Sequence, residues 1–234
     1  MNFQVANKNE DLLIKNHVSN NSSELSEIFN EDVNIAIWKR HLNNQLINAS
    51  NYIINENPDL QFSELVKYND VDKILFNNLG QNENTLYLVK DISRVVKLFC
   101  DLFSINKVWL RLDAIESPMC PRFHVDNLKC RLVSTYKGPA TQWLPHNLVN
   151  RDKLGHGNNG MPDEESGLFL KETDIKELNT GDVALLKGDG WKNNQGKGLV
   201  HRSPHKVGDY KRLYMTIDFI DLYLRIFKNH KNES

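Results

Sequence analysis

The sequence predicts an α+β protein, in which a mainly helical N-terminal portion covers a jelly roll or sandwich of short strands. Three observations carry that prediction. Apolar residues recur at helical spacing through the first hundred residues, and the texture changes after residue 106 to short runs rich in β-branched and aromatic residues. Those runs follow one another without interleaved helices, which argues against a parallel α/β sheet.

Residues 1–30 are rich in Asn, Ser and Glu without a sustained period, and are expected to be a polar lead-in. Over residues 31–105, an apolar start at Val33 to Trp38 leads into helical spacing through Leu42, Leu46, Ile47, Tyr52, Ile53 and Ile54. The stretch "NTLYLVKDISRVVKLFCDLFS" then sets Leu86, Val89, Ile92, Val95, Val96, Phe99 and Leu102 on one stripe, suited to packing on a sheet. From 106 to 228 the expected strands include "KVWLRLDAIE", "RFHVDNL", "KCRLVSTYKG", "SGLFLKE", "GDVALLKGDG", "GLVHRSP" and "RLYMTIDFIDLYL". Between Pro145 and Gly167 a polar segment without period reads as a long surface loop, the kind that often acts as a lid. The charged "KNHKNES" at the C-terminus reads as a solvated tail.

At 234 residues the chain can bury a large core without disulfides. Cys100, Cys120 and Cys130 form no disulfide framework, and "MNFQVANKNEDLLIKNH" has no apolar signal-peptide core, so a reducing cytoplasmic location is expected. A net charge of −1, from 29 basic and 30 acidic residues, offers no general attraction to nucleic acid or acidic membranes. A small-molecule or protein substrate is the expected partner. Oligomeric state leaves no mark in the sequence.

In "SPMCPRFHVDNLKCRLVSTY", His124 and Asp126 stand two apart, and on a strand both would project into one space. A buried carboxylate beside an imidazole needs a partner, and a metal ion is the obvious one. A distal histidine from "GKGLVHRSPHKVGDYKRLYMTIDF" would complete two imidazoles and a carboxylate, which leaves positions open on Fe(II). Both His201 and His205 are available. The order His-x-Asp, long gap, His, and a basic residue 11 positions beyond His201 resembles the Fe(II)- and 2-oxoglutarate-dependent oxygenases. "NTGDVALLKGDGW" looks like the Gly-Asp turn and apolar strand that precede the distal histidine in that superfamily. More narrowly, "CPRFHVD", "GLVHRSPH" and "IAIWKR" resemble an uncharacterised bacterial family of unknown function, a resemblance that also implies a link with zinc homeostasis.

The wider resemblance implies a double-stranded β-helix with His124, Asp126 and His201 as metal ligands. It implies that Arg212 pairs with the distal carboxylate of 2-oxoglutarate, with Tyr136 and then Arg131 as further co-substrate contacts, and that the product of the keto acid is succinate. Lys211 replaces Arg212 if the strand faces the other way, because Leu213, Met215, Ile217 and Phe219 share the parity of Lys211. His205 and Cys120 stand as groups near the metal, and thiolate ligation by Cys120 would favour Zn²⁺ over Fe(II). Three functions stay open: an oxygenase, a non-catalytic metal-binding protein linked to zinc handling, and a cupin-like enzyme without 2-oxoglutarate. Arg122 is open between a structural and a substrate-facing role; Trp109, Trp143 and Trp191 read as core or rim packing, and His146 and His156 as solvent-exposed, with substrate contact as the alternative.

Overall fold

The computed structural model describes residues 13–205, 208 and 211–220, so the C-terminal tail and the start of the lead-in lie outside the described residues. The order is β1 (Lys15–Ser19), β2 (Val33–Trp38), α1 (Asn44–Glu56), β3 (Gln61–Lys67), α2 (Val71–Leu79), α3 (Glu83–Phe103), β4 (Lys107–Ile115), β5 (Cys130–Lys137), β6 (Gln142–Leu144), β7 (Lys176–Glu177), β8 (Val183–Lys187), β9 (Val200–Arg202) and β10 (Arg212–Asp218). Seven strands form a large sheet in the order β1-β2-β8-β5-β10-β4-β3, and three form a small one in the order β7-β6-β9. All pairings are antiparallel except that of β1 with β2.

The helical stripe forms as its period requires. α3 begins at a capping box, where Asn82 accepts from the Thr85 amide and Thr85 returns a bond, and its buried line of Leu88, Val89, Ile92, Val95, Val96 and Phe99 lies on the large sheet. Against it stand Leu110 and Leu112 of β4, Leu132 of β5, and Leu213, Met215 and Ile217 of β10. The opposite face of the sheet packs on the small sheet through Ile35, Ile37, Val133, Ala184 and Leu186, which meet Trp143 and Leu199. Two packed layers of strand under one layer of helix follow from these faces.

The N-terminal half is less helical than its sequence pattern suggests, since β2 and β3 both join the large sheet. β2 is buried along almost its whole length, the polar Asn34 included, so its short, mostly apolar run carries no period that separates strand from helix. β3 is an edge strand that buries only Phe62 and Val66, too little alternation to stand out. Part of the polar lead-in is also ordered: Ser22–Phe29 is a 3-10 helix that buries Leu25 and Ile28. No described helix is long and apolar enough to cross a membrane.

Candidate metal centre

The segment carrying His124 makes a single bridge rather than a strand, because Pro121 and the turn after Asp126 prevent a ladder. His124 and His201 pair through their backbones, with N–H to carbonyl distances of 3.0 Å in both directions. That register brings the two imidazoles face to tilted face, 4.5 Å between centroids. The "KGDG" turn fixes the third member. Asp189 donates its amide to the Asp126 carbonyl and accepts from the Gly198 amide, so one residue braces both ligand-bearing segments. Gly188 is required there, since a Cβ would lie 2.5 Å from the Asp126 carbonyl oxygen.

The result is a cluster in which one ligand atom each from His124, Asp126 and His201 lies within 4.8 Å of the others. The carboxylate oxygens stand 3.7 Å from His124 Nε2 and 3.6 Å from His201 Nε2. Both Nδ1 atoms meet backbone carbonyls, of Arg122 at 3.0 Å and Leu199 at 3.2 Å. A carbonyl only accepts, so each Nδ1 carries the hydrogen and each Nε2 presents a lone pair to the cluster. Burial pushes His201 down to about 4, and His124 adds to that while Asp126 opposes it, so His201 is neutral at pH 7. Burial would raise the Asp126 carboxyl, but it is lowered overall by the attraction of His201 where that ring is protonated, of the permanently charged Arg131 and of His124. Two imidazole Nε2 atoms and one carboxylate facing one another are the donors that a divalent metal requires, so the donor set fits one.

Arg131 sits behind the carboxylate. It donates to Asp126 at 3.0 Å and makes a bidentate pair with Asp218 at 2.8 and 3.0 Å. Its guanidinium is thus engaged by two carboxylates of the chain, whereas the sequence set it among co-substrate contacts. Tyr136 requires a correction. It lies on the helix-facing side of β5, where its hydroxyl donates to Asp91 of α3 at 2.8 Å, because residues 130, 132, 134 and 136 share the parity that packs on the helices. The tyrosine inside is Tyr214.

Parity on β10 also separates Arg212 from Lys211. Leu213, Met215 and Ile217 pack on the helices, so Arg212, Tyr214 and Thr216 point between the sheets. Arg212 is 1 % exposed, lies 3.9 Å over the Tyr214 ring and donates through Nη2 to Thr135 and Thr141, each at 3.1 Å. Among the described residues its Nε and Nη1 have no hydrogen-bond partner, and no carboxylate pairs with it. A cavity of about 80 Å³ is lined by His124, His201, Arg131, Thr141, Tyr214 and Thr216, with Arg111, Met119, Cys120, Arg202 and Ser203.

Cys120 is exposed on that wall but outside the cluster of ligand atoms. His205 is at the surface, 3.1 Å from Glu164, and His201 rather than His205 joins the cluster. His146 and His156 are in the long loop and also outside it. Thr135, Thr141, Tyr214 and Asp218 escaped the sequence analysis; the parity of Arg212 and Arg131 on their strands was the available signal for Tyr214 and Asp218.

A family model matches residues 19–218, nearly the whole described chain. The chain belongs to the DUF1826 family. Its members are described only as proteins of unknown function. No curated protein matches the DUF1826 chain significantly. Among solved structures it is similar to a rice dioxygenase for auxin oxidation, at 12% identity and a TM-score of 0.50 over 88% of this chain and 82% of the other. A prolyl-4-hydroxylase of Pseudomonas putida matches at 8% identity and 0.43, over 84% and 96%. A non-haem α-ketoglutarate-dependent epimerase of nogalamycin biosynthesis matches at 14% and 0.40, over 84% and 79%. At such identities the likeness to the rice enzyme is one of fold.

Proposed function

We propose that this DUF1826 protein is an Fe(II)- and 2-oxoglutarate-dependent oxygenase on a double-stranded β-helix, with a hydroxylase reaction on a small-molecule or protein substrate. The observation that carries the reading is Arg212, a buried guanidinium with two unused donor atoms and no acidic partner among the described residues. Burying an unpaired cation costs several kcal/mol, and a carboxylate ligand arriving between the sheets offsets that cost. The planar fork suits a terminal carboxylate, and Thr135, Thr141 and the Tyr214 ring hold it in place.

His124, Asp126 and His201 would hold the metal on one side, leaving positions open for a chelating keto acid. Iron, when bound, supplies the activation of oxygen. The chain's own residues do the rest: Arg131 keeps Asp126 ionised and aimed, the two carbonyls hold both imidazoles in the coordinating tautomer, and Val133, Trp143 and Leu199 keep the space between the sheets dry. The position of Cys120 outside the ligand cluster weighs against a zinc-thiolate centre and so against the zinc-handling alternative.

The test is an anaerobic titration of Fe(II)-loaded protein with 2-oxoglutarate, following the weak visible absorption of the chelate. Absorption that appears in the native protein, is absent in His201→Ala and needs a much higher keto-acid concentration in Arg212→Ala supports the reading. Metal retention with no response to 2-oxoglutarate overturns it in favour of a metal-binding protein without this co-substrate.

A further inference from the structure

The long loop is tied to the segments that carry the cluster. Asp163, 3 % exposed, accepts from the Phe123 amide at 2.7 Å and from Arg122 Nε at 2.8 Å, and lies 3.5 Å from Arg202. Arg122 and Phe123 immediately precede His124, and Arg202 immediately follows His201. The neighbouring Glu164 accepts from Arg202 at 2.7 Å, and Arg122 also reaches the Met161 carbonyl. Arg202 in turn stacks 4.2 Å from the Phe123 ring and donates to Gln142.

One peptide unit gives this clamp its chemical meaning. The Phe123 amide and the Arg122 carbonyl belong to the same peptide, whose N–H donates to Asp163 while its carbonyl accepts from His124 Nδ1. A carboxylate on the N–H side polarises the peptide and strengthens its carbonyl as an acceptor. Metal-ligating histidines usually hand their second ring nitrogen directly to a carboxylate or carbonyl; here carboxylate, peptide and imidazole stand in series. His201 differs, since its Nδ1 rests on the Leu199 carbonyl and Asp163 accepts nothing from the peptide that carries that carbonyl.

We infer that Asp163 is a positioning residue of the metal centre, which sets the tautomer and orientation of His124 through the 122–123 peptide and so couples anchoring of the loop to metal affinity. The inference rests on the cluster of His124, Asp126 and His201 being a metal site, but its first test needs no metal. In metal-free protein at pH 8, the imidazole ¹⁵N resonances report which nitrogen carries the hydrogen. In Asp163→Ala the His124 resonances move toward a mixture of tautomers while those of His201 stay in place, and Asp163→Asn, which keeps an acceptor for the amide, falls between. If both histidines are unchanged, or both shift together as general loosening would require, the inference fails; Asp163→Asn decides the matter should Asp163→Ala not fold.

The second readout is Co(II) affinity by competition with a chelator. A loss of about 10- to 100-fold in Asp163→Ala, with a smaller loss in Asp163→Asn, is expected. Unchanged affinity in both variants overturns the coupling of the loop to the metal. Absence of Co(II) binding in the native protein, beside the His124-selective shift, would fault the metal reading and leave the tautomer relay standing.

Discussion

The two faces of β5 and β10 are built from the same strands and are both buried, yet they hold opposite chemistry. Toward the helices stand Cys130, Leu132, Leu213, Met215 and Ile217, closed by dispersion and area, with the Tyr136–Asp91 bond as a polar contact beside them. Toward the small sheet stand Arg131, Thr135, Arg212, Tyr214, Thr216 and Asp218. The helix face leaves only the neutral Ser134 hydroxyl without a partner among the described residues of these two strands, whereas the inner face leaves a charge, since Arg131 has two carboxylates and Arg212 has none among the described residues. A half-satisfied buried charge is unfavourable for folding, and its retention points to a ligand.

Mutations can break this comparison in order of expected effect. Asp126→Ala removes the carboxylate and unpairs one side of Arg131, so metal retention on desalting should be abolished; a variant that still holds stoichiometric metal would dissolve the ligand assignment. Ile217→Ala on the helix face opens a cavity among residues that are all fully buried, and should cost about 2–5 kcal/mol in urea unfolding while leaving metal affinity unchanged. Arg212→Ala on the inner face should keep metal and lower 2-oxoglutarate affinity by about 2–4 kcal/mol, with little loss of stability or even a gain, since it deletes an unpaired charge. A large loss of stability with unaltered keto-acid binding would mean that the guanidinium is structural.

Smaller effects sharpen the same contrast. Tyr136→Phe removes one donor from Asp91, which keeps its bidentate partner Arg40, and should cost about 1 kcal/mol in unfolding with no change in 2-oxoglutarate binding. Glu164 tests the clamp by pH. Burial would raise its carboxyl, but Arg202, its own amide and His205 hold it at about 2 against an ordinary 4.5. Because the folded value is depressed, its contribution is complete above about pH 4.5 and lost as pH falls toward 2. With the side chain 35% exposed, the size is on the order of 1 kcal/mol or less. The stability gap between native protein and Glu164→Gln should therefore be larger at pH 7 than at pH 3, and a gap that widens on acidification would contradict the assigned pairing.

Much of the site was legible because its signals are local. His-x-Asp, the basic residue beyond the distal histidine, and the alternation of apolar residues on β10 are properties of spacing, and spacing determines which side chains share a face. The α3 stripe was legible for the same reason: of its seven expected positions Val89, Ile92, Val95, Val96 and Phe99 are buried, while Leu86 and Leu102 are half-buried at its margins. Where the pattern carried no period, as in the wholly buried β2 or the edge strand β3, the sequence could not separate strand from helix.

By itself, then, the sequence determined an α+β chain with His124, Asp126 and a distal histidine as a candidate ligand set. The tertiary structure decided which face of each strand turns inward, and with that the surroundings of the basic and aromatic residues. It brought His201 rather than His205 beside His124 by a backbone bridge, turned Arg212 rather than Lys211 between the sheets by where the helices lie, and placed Tyr214 rather than Tyr136 there by the parity of two neighbouring strands. It also showed that Arg131 serves Asp126, and that Asp163, from a segment whose polarity suggested only a surface loop, reaches the peptide beside His124. Those choices depend on pairings between residues tens of positions apart, and the register of one strand against another is set by packing on both faces at once, which no local pattern contains.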